Sequence, residues 1–419
     1  MSKINILKTL GPGLLWAGAA VGVSHLVQST RAGASYGFYF IGLLLLANFL
    51  KYPFFEFAPR YAAATGKNLI EGYKKIGKWA IILYALLTIS TMFAIQAAVT
   101  VVTAGLVGNI FHINLNVSVL SAVILVITMI ILIVGKFSVL DKLIKFIIII
   151  LSITTIIAVV NGLIIGYNPQ TEFASDFRWN NAIDLAFLIA FIGWMPAPLD
   201  ISVWHSFWTI AKKRETGHAP SLKEALFDFN VGYIGTVILA LGFLTLGALF
   251  MYGTGEEFSS KGVAFAGQLI EMFTQSIGSW AYFIIAIAAL TTMFSTTLTC
   301  MDAYSRVLPS TTKLIFTNQD TTNTETRRKT ILFWMLILVS GALILLLFFM
   351  KNMKFMVDLA TSISFVTAPA LAVLNYLVVT DNHMPEKARP KLWLKAYAWL
   401  GIAFLSAFSI FYIFWRFIL

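Results

Sequence analysis

One cysteine, Cys300, is all the chain has in 419 residues, so no intramolecular disulfide can staple it and no multi-cysteine zinc cluster can form. Charge is scarce too. Asp, Glu, Lys and Arg make up 12% of the residues, about half the share of an ordinary soluble domain, and no long polar stretch remains for a separate soluble domain. Enzyme motifs are missing: the sequence has no Walker A pattern, no H-E-x-x-H and no G-x-S-x-G. The phosphate cradle, zinc-bound water and serine elbow that those patterns encode are thereby excluded. Between Lys78 and Lys136 there is not one Asp or Glu. Basic residues outnumber acidic ones 30 to 19, but they are scattered through short loops. The excess therefore reads as membrane topology and attraction to lipid headgroups, with no nucleic-acid partner.

Apolar sequence fills the space that these absences leave. The chain is 59% hydrophobic with mean hydropathy +0.84. Runs of about 20 apolar residues recur along it, each long enough to cross a ~30 Å hydrocarbon core. They fall near 10–35, 36–60, 79–109, 115–135, 140–167, 183–211, 227–252, 277–303, 330–350, 355–379 and 393–417. The expected fold is an all-α integral membrane protein of about 11 transmembrane helices in a single domain. Most of the basic residues gather on one side, among them Lys3, Lys8, Arg60, Lys74, Lys136, Lys213, Arg306 and Arg389. Arg31, Arg178, Lys261, Lys351 and Lys354 fall on the other. That bias puts the N-terminus in the cytoplasm and the C-terminus outside, in a bacterial inner membrane. MSKINILKTLGPGLLW begins basic but lacks a small-residue cleavage site, so it reads as a retained first helix.

Two spans are unlike the rest. The first reads GPGLLWAGAAVGVSHLVQSTRAGASYG and the sixth AFLIAFIGWMPAPLDISVWHSFW. Gly18, Gly22, Ser24, His25, Gln28 and Arg31 interrupt the one; Gly193, Pro196, Pro198, Asp200 and His205 interrupt the other. Each proline removes a backbone donor, and freed peptide groups at bilayer depth must face protein or a water-filled cavity. The interrupted spans stand five helices apart, at matching places in two halves near 9–167 and 183–379, with an extra helix at 393–417. This is the pattern of an inverted repeat with a midplane site, hence of an alternating-access carrier. A channel would instead ask for repeated polar rings along a pore.

Residues 11 to 38 carry a resemblance. Gly11-Pro12, Ala32-Gly33 and Gly37, then LLLAN at Leu44 to Asn48, Thr65-Gly66, Met195-Pro196 and STTLT at Ser295 to Thr299 are similar to the Nramp (natural resistance-associated macrophage protein) family of proton-coupled divalent metal transporters. The resemblance implies an eleven-helix LeuT-type fold of five plus five helices with broken first and sixth spans. It also implies a transported cation and no bound cofactor. The motifs depart from the family at the chemistry. Its first-span D-P-G-N falls on Gly22, Val23, Ser24 and His25; its histidine after M-P falls on Ala197; and its third-span acids fall near Gln96 and Val99. A family-type proton path is therefore not expected.

Two substrate readings stay open. Met195 and His25 form a soft pair for a transition metal, with Asp200 adding charge if the unwound sixth span turns it inward. Alternatively, backbone amides from Gly18 to Ser24 suit a carboxylate, Asp200 meets an amine, and Ser295 and Thr296 offer hydroxyls for sodium beside first-span carbonyls. That second set describes a sodium-coupled carrier of a small organic solute such as an amino acid. A sensor that keeps the fold without transporting is a third reading. The candidate substrate residues are thus Gly22, Ser24, His25, Met195 and Asp200, with Ser295 and Thr296 for a coupling ion. The partners are the lipid bilayer and a small ion or molecule. Among the other intramembrane charges, Lys51 or Arg31 is expected to pair with Glu56 or Asp200, and His205 to pack or gate.

Overall fold

A computed structural model describes residues 11–134, 137–166, 177–316, 324–350 and 352–417. Lys3, Lys8, Lys136, Lys351, positions 9–10 and 167 at the edges of the expected halves, and part of the polar 308–329 loop lie outside them. The described chain is helical throughout. The first span is split into α1 (Pro12–Ala20), a π-helical turn (Ser24–Ser29) and α2 (Thr30–Tyr36). Then come α3 (Phe40–Thr65), the short α4 (Leu69–Ile76), α5 (Lys78–Ile110), α6 (Val117–Val134) and α7 (Phe137–Ile165). The sixth span is split into α8 (Ala182–Trp194) and α9 (Asp200–Thr216), followed by α10 (Leu222–Phe250) and α11 (Gly262–Ile277). α12 (Tyr282–Phe316), α13 (Thr324–Ile344), α14 (Met353–Thr380) and α15 (Leu392–Phe417) complete the bundle. Among the described residues, eight helical stretches are long and apolar enough to cross a membrane, and Ile149–Ile165 and Ala182–Trp194 are shorter apolar helices. The protein is an all-α integral membrane protein.

Residue chemistry explains the elements that hold the site. Asp228 of α10 accepts from the backbone N–H of Gly11 at 2.9 Å and of Gly13 at 2.6 Å, fixing the donor-rich start of α1 with a carboxylate. Further along, the first span and α10 touch backbone to backbone: a methyl group at Gly33 would stand 1.9 Å from the Leu244 carbonyl oxygen. Small residues permit such contact where lipid offers helices no hydrophobic drive to associate.

Prolines inside spans leave the carbonyl four residues back without its N–H. Pro53 does this to Phe49, and Pro369 does it to Phe365. α15 answers both: the Tyr397 hydroxyl donates to the Phe49 carbonyl, and Ser409 Oγ donates to that of Phe365 at 3.2 Å. Long basic side chains also tie connecting segments together. Lys74 Nζ donates to Leu314 O at 2.7 Å and Arg60 Nη1 to Ala388 O at 2.9 Å. Across the bundle, Asn109 Nδ2 donates to Val263 O at 3.2 Å.

Candidate functional site

The first interruption is narrow. α1 stops at Ala20, whose carbonyl accepts from Gly22 N–H at 2.9 Å and from Ser24 Oγ at 2.6 Å. Gly22 O then accepts from the N–H groups of His25 and Leu26, at 3.1 and 2.9 Å, and the chain restarts as the π turn. His25 is fully buried. Its Nδ1 lies 2.7 Å from Ser24 Oγ and its Nε2 2.9 Å from Thr236 O of α10. A carbonyl can only accept, so Nε2 carries a hydrogen. Both ring nitrogens are thus engaged by protein, and His25 clamps the π turn to α10.

The second interruption is wider. α8 ends at Trp194, α9 begins at Asp200, and Met195 to Leu199 run between them without helix. Met195 is completely buried. Prolines at 196 and 198 cannot supply N–H groups to the end of α8, and Lys51 of α3 supplies them instead. Its Nζ donates to Ile192 O at 2.6 Å and to Gly193 O at 2.8 Å. A cation at a helix C-terminus is favourable, and each such charge-assisted bond contributes about 1.5–3 kcal/mol, which offsets the desolvation of a lysine only 1% exposed.

The two interruptions adjoin. α1 packs along α9, and the π turn packs against α8. α12 closes over the first of them: a methyl group built on Gly22 would stand 2.7 Å from Thr296 Oγ1. Thr296 Oγ1 lies 3.0 Å from Thr292 O of its own helix and 3.4 Å from Gly18 O of the first span. Ser295 Oγ is buried with no hydrogen-bond partner, whereas Thr297 and Thr299 bond back to their own helix at 3.0 and 2.8 Å. Gly22, Ser24 and Thr296 are therefore brought together, with Ser295 beside Thr296 in sequence. Asp200 turns elsewhere, toward α5, where its Oδ1 lies 3.4 Å from Thr91 Oγ1.

The expected pairings of the membrane charges need correction. Glu56 pairs with Arg60 one turn along its own helix at 2.5 Å, which the i, i+4 spacing makes geometrically cheap. Arg31 pairs with Asp358 of α14 through two bonds, 2.7 and 3.2 Å, and stacks 4.9 Å above the Phe187 ring. Gln28 donates to the same carboxylate at 3.1 Å. Lys51 and Asp200 join none of these ion pairs. His205 packs 5.8 Å from the Phe229 ring. At the third-span positions, Gln96 Nε2 reaches Thr297 O at 3.4 Å, and Val99 O accepts from Thr103 Oγ1 at 2.8 Å. Among the described residues, no group of three or more His, Cys, Asp or Glu side chains is placed to hold a metal ion.

Comparison with known proteins agrees with this architecture. The profile of the family described as natural resistance-associated macrophage protein-like matches residues 13–415. An uncharacterized protein of Pasteurella multocida (strain Pm70) is 37% identical over 408 residues, 96% of this chain and 91% of that one. Solved structures of the Eremococcus coleocola manganese transporter share the fold at 14% identity, over 97% of this chain and 86% of theirs. The TM-score is 0.68 for its complex with an aromatic bis-isothiourea compound and 0.69 for one mutant.

Proposed function

Because the chain belongs to the natural resistance-associated macrophage protein (Nramp) family, we propose that it is a secondary carrier moving a divalent transition-metal cation across the membrane by alternating access. The observation that carries this reading is the meeting of two interrupted spans, α1 against α9 and the π turn against α8. Unwound peptide groups there can replace part of a cation's hydration shell. Met195, buried where α8 ends, is the soft donor. A thioether favours transition metals over Mg²⁺ or Ca²⁺. The site differs from that of the family because Gly22 and His25 replace its anionic and amide ligands, and His25 is committed to Ser24 and Thr236. The halves near 9–167 and 183–379 act as the inverted repeats, with the N-terminus cytoplasmic. In proteoliposomes, Mn²⁺ uptake is expected from the native chain and at least a tenfold loss (~1.4 kcal/mol) in Met195→Ala. A native chain that neither takes up nor binds Mn²⁺ or Fe²⁺ rules the metal reading out.

A second reading has its own observation. The Thr296 hydroxyl lies near Gly18 O, and the hydroxyl of Ser295, next to it in sequence, is buried without a partner; hard oxygen donors of this kind suit a hard cation such as Na⁺. On this reading the carrier takes up a small organic solute such as an amino acid together with sodium. Thermal stabilisation by one amino acid only when Na⁺ is present supports it. Identical melting with and without Na⁺, across a panel of amino acids, eliminates it.

A further inference from the structure

Asp200 is the buried carboxylate that the ion pairs leave over. It is 1% exposed, and its Oδ2 has no hydrogen-bond partner. Other buried carboxylates are compensated: Glu56 by Arg60, Asp302 by Arg306, Asp228 by the N–H groups of Gly11 and Gly13, and Asp184 by the Tyr36 hydroxyl and Arg178 N–H. Around Asp200 stand hydroxyls instead. Tyr73 of α4, Tyr84 of α5 and Tyr304 of α12 lie close enough to interact with it electrostatically, as does the Cys300 thiol. The Tyr84 and Thr88 hydroxyls lie beside each other, the Tyr304 hydroxyl lies beside Thr91, and the Trp204 indole N–H is buried without a partner. Among the described residues, no lysine, arginine or histidine is bonded to Asp200. A carboxylate kept charged there would have no counter-ion, only neighbouring hydroxyls, its own N–H and the start of α9 to stabilise it.

Counting hydrogens shows where a proton would fit. Thr91 has one hydroxyl hydrogen and three acceptors in reach: Leu87 O and Thr88 O at 3.2 Å, and Asp200 Oδ1 at 3.4 Å. A helical threonine ordinarily gives its hydrogen back to its own helix. The hydroxyl hydrogen is then shared thinly with Asp200, and a proton on the carboxyl would give that contact a hydrogen of its own. With a proton on Oδ1, Asp200 donates to Thr91 Oγ1, and Thr91 donates to its helix carbonyl.

We propose that Asp200 is where the carrier binds and releases its coupling proton, replacing the acids that the third span lacks. This rests on the carrier reading and deepens it. In the loading step a hydronium ion gives its proton to the carboxylate, leaving water and a neutral carboxylic acid; unloading returns the proton to water on the other side. Tyr84, Thr88 and Thr91 share one face of α5. Asp200 thus stands beside a row of hydroxyls on one face of α5.

Infrared difference spectra of the purified chain in lipid nanodiscs, recorded during a pH titration in choline chloride, test this directly. A carboxylic-acid C=O band that fades as pH rises is expected in the native chain and in Asp302→Asn, and is lost in Asp200→Asn. Thr91→Val, which folds without depending on the carboxyl, should shift the band because its acceptor is gone. A native chain without such a band, or one whose band survives Asp200→Asn, overturns the assignment. So does a band abolished by Na⁺ at constant pH, since the carboxylate would then be taking sodium. Mn²⁺ uptake is read separately in proteoliposomes. Uptake that persists while no band titrates removes Asp200 as the proton site and leaves metal transport standing. A titrating band without Mn²⁺ uptake keeps the proton site and overturns the metal reading.

Discussion

At the scale of single residues, the site turns on what stands beside Gly22. By sequence alone, Gly22→Asp should restore a charged oxygen ligand and raise metal affinity. The structure changes that expectation, because any Cβ at position 22 collides with the Thr296 side chain. Gly22→Asp alone should lower the melting temperature, since overpacking of this kind costs about 1–3 kcal/mol. Gly22→Asp with Thr296→Ala should recover the native melting temperature and bind Mn²⁺ more tightly by calorimetry. If the pair binds Mn²⁺ no better than the native chain, the first-span position is not at the site. The helix breaks at Gly22 and Met195 were legible in the sequence because a broken helix leaves glycine and proline behind. The engagement of His25 was not, because the Thr236 carbonyl lies 211 residues away and a backbone acceptor leaves no trace in residue type.

Whole elements were easier to read than their partners. Hydrophobic runs located the spans, and Pro196 with Pro198 located the gap between α8 and α9, since length and missing N–H groups are local properties. Partners are set by packing. The i, i+4 match of Glu56 to Arg60 was readable in principle, but Lys51, five residues before Glu56, competed for it on paper. Pairing Arg31 with Asp358 required knowing that α2 faces α14. α15 is the clearest case of an element whose work lies on its neighbours. Its Tyr397 and Ser409 serve carbonyls freed by prolines in two other helices. An acceptor left unpaired away from water costs about 1–3 kcal/mol, so Ser409→Ala, whose partner is buried, and to a smaller extent Tyr397→Phe, whose bond lies at the outer surface of the bundle, should each lower thermal stability in detergent. Their effects should add, as they do for separated sites. A double variant that melts with the native chain would show that these hydroxyls are dispensable.

For the molecule as a whole, the charge bias predicts which connecting segments share a side of the membrane. Cys300 is the sole cysteine and is buried, so Cys300→Ser gives a clean background for single reporter cysteines. In intact bacterial cells, a membrane-impermeant maleimide should label Thr254→Cys, between α10 and α11. It should spare Gly217→Cys, after α9, and Asn382→Cys, after α14, until the cells are opened. Labelling of the last two in sealed cells would invert the topology. The inverted repeat itself was legible only as a coincidence of two interruptions, because sequence shows where helices fail and not which way they face.

The ammonium of Lys51 works like a pin through the cut end of a rod. α3, with Pro53 and Pro59 along the way, runs from that pin nine residues, about 14 Å at 1.5 Å per residue, to Arg60. There the same helix is tied to Ala388, just before α15. One helix thereby holds both the cut end of α8 and the segment that leads into α15.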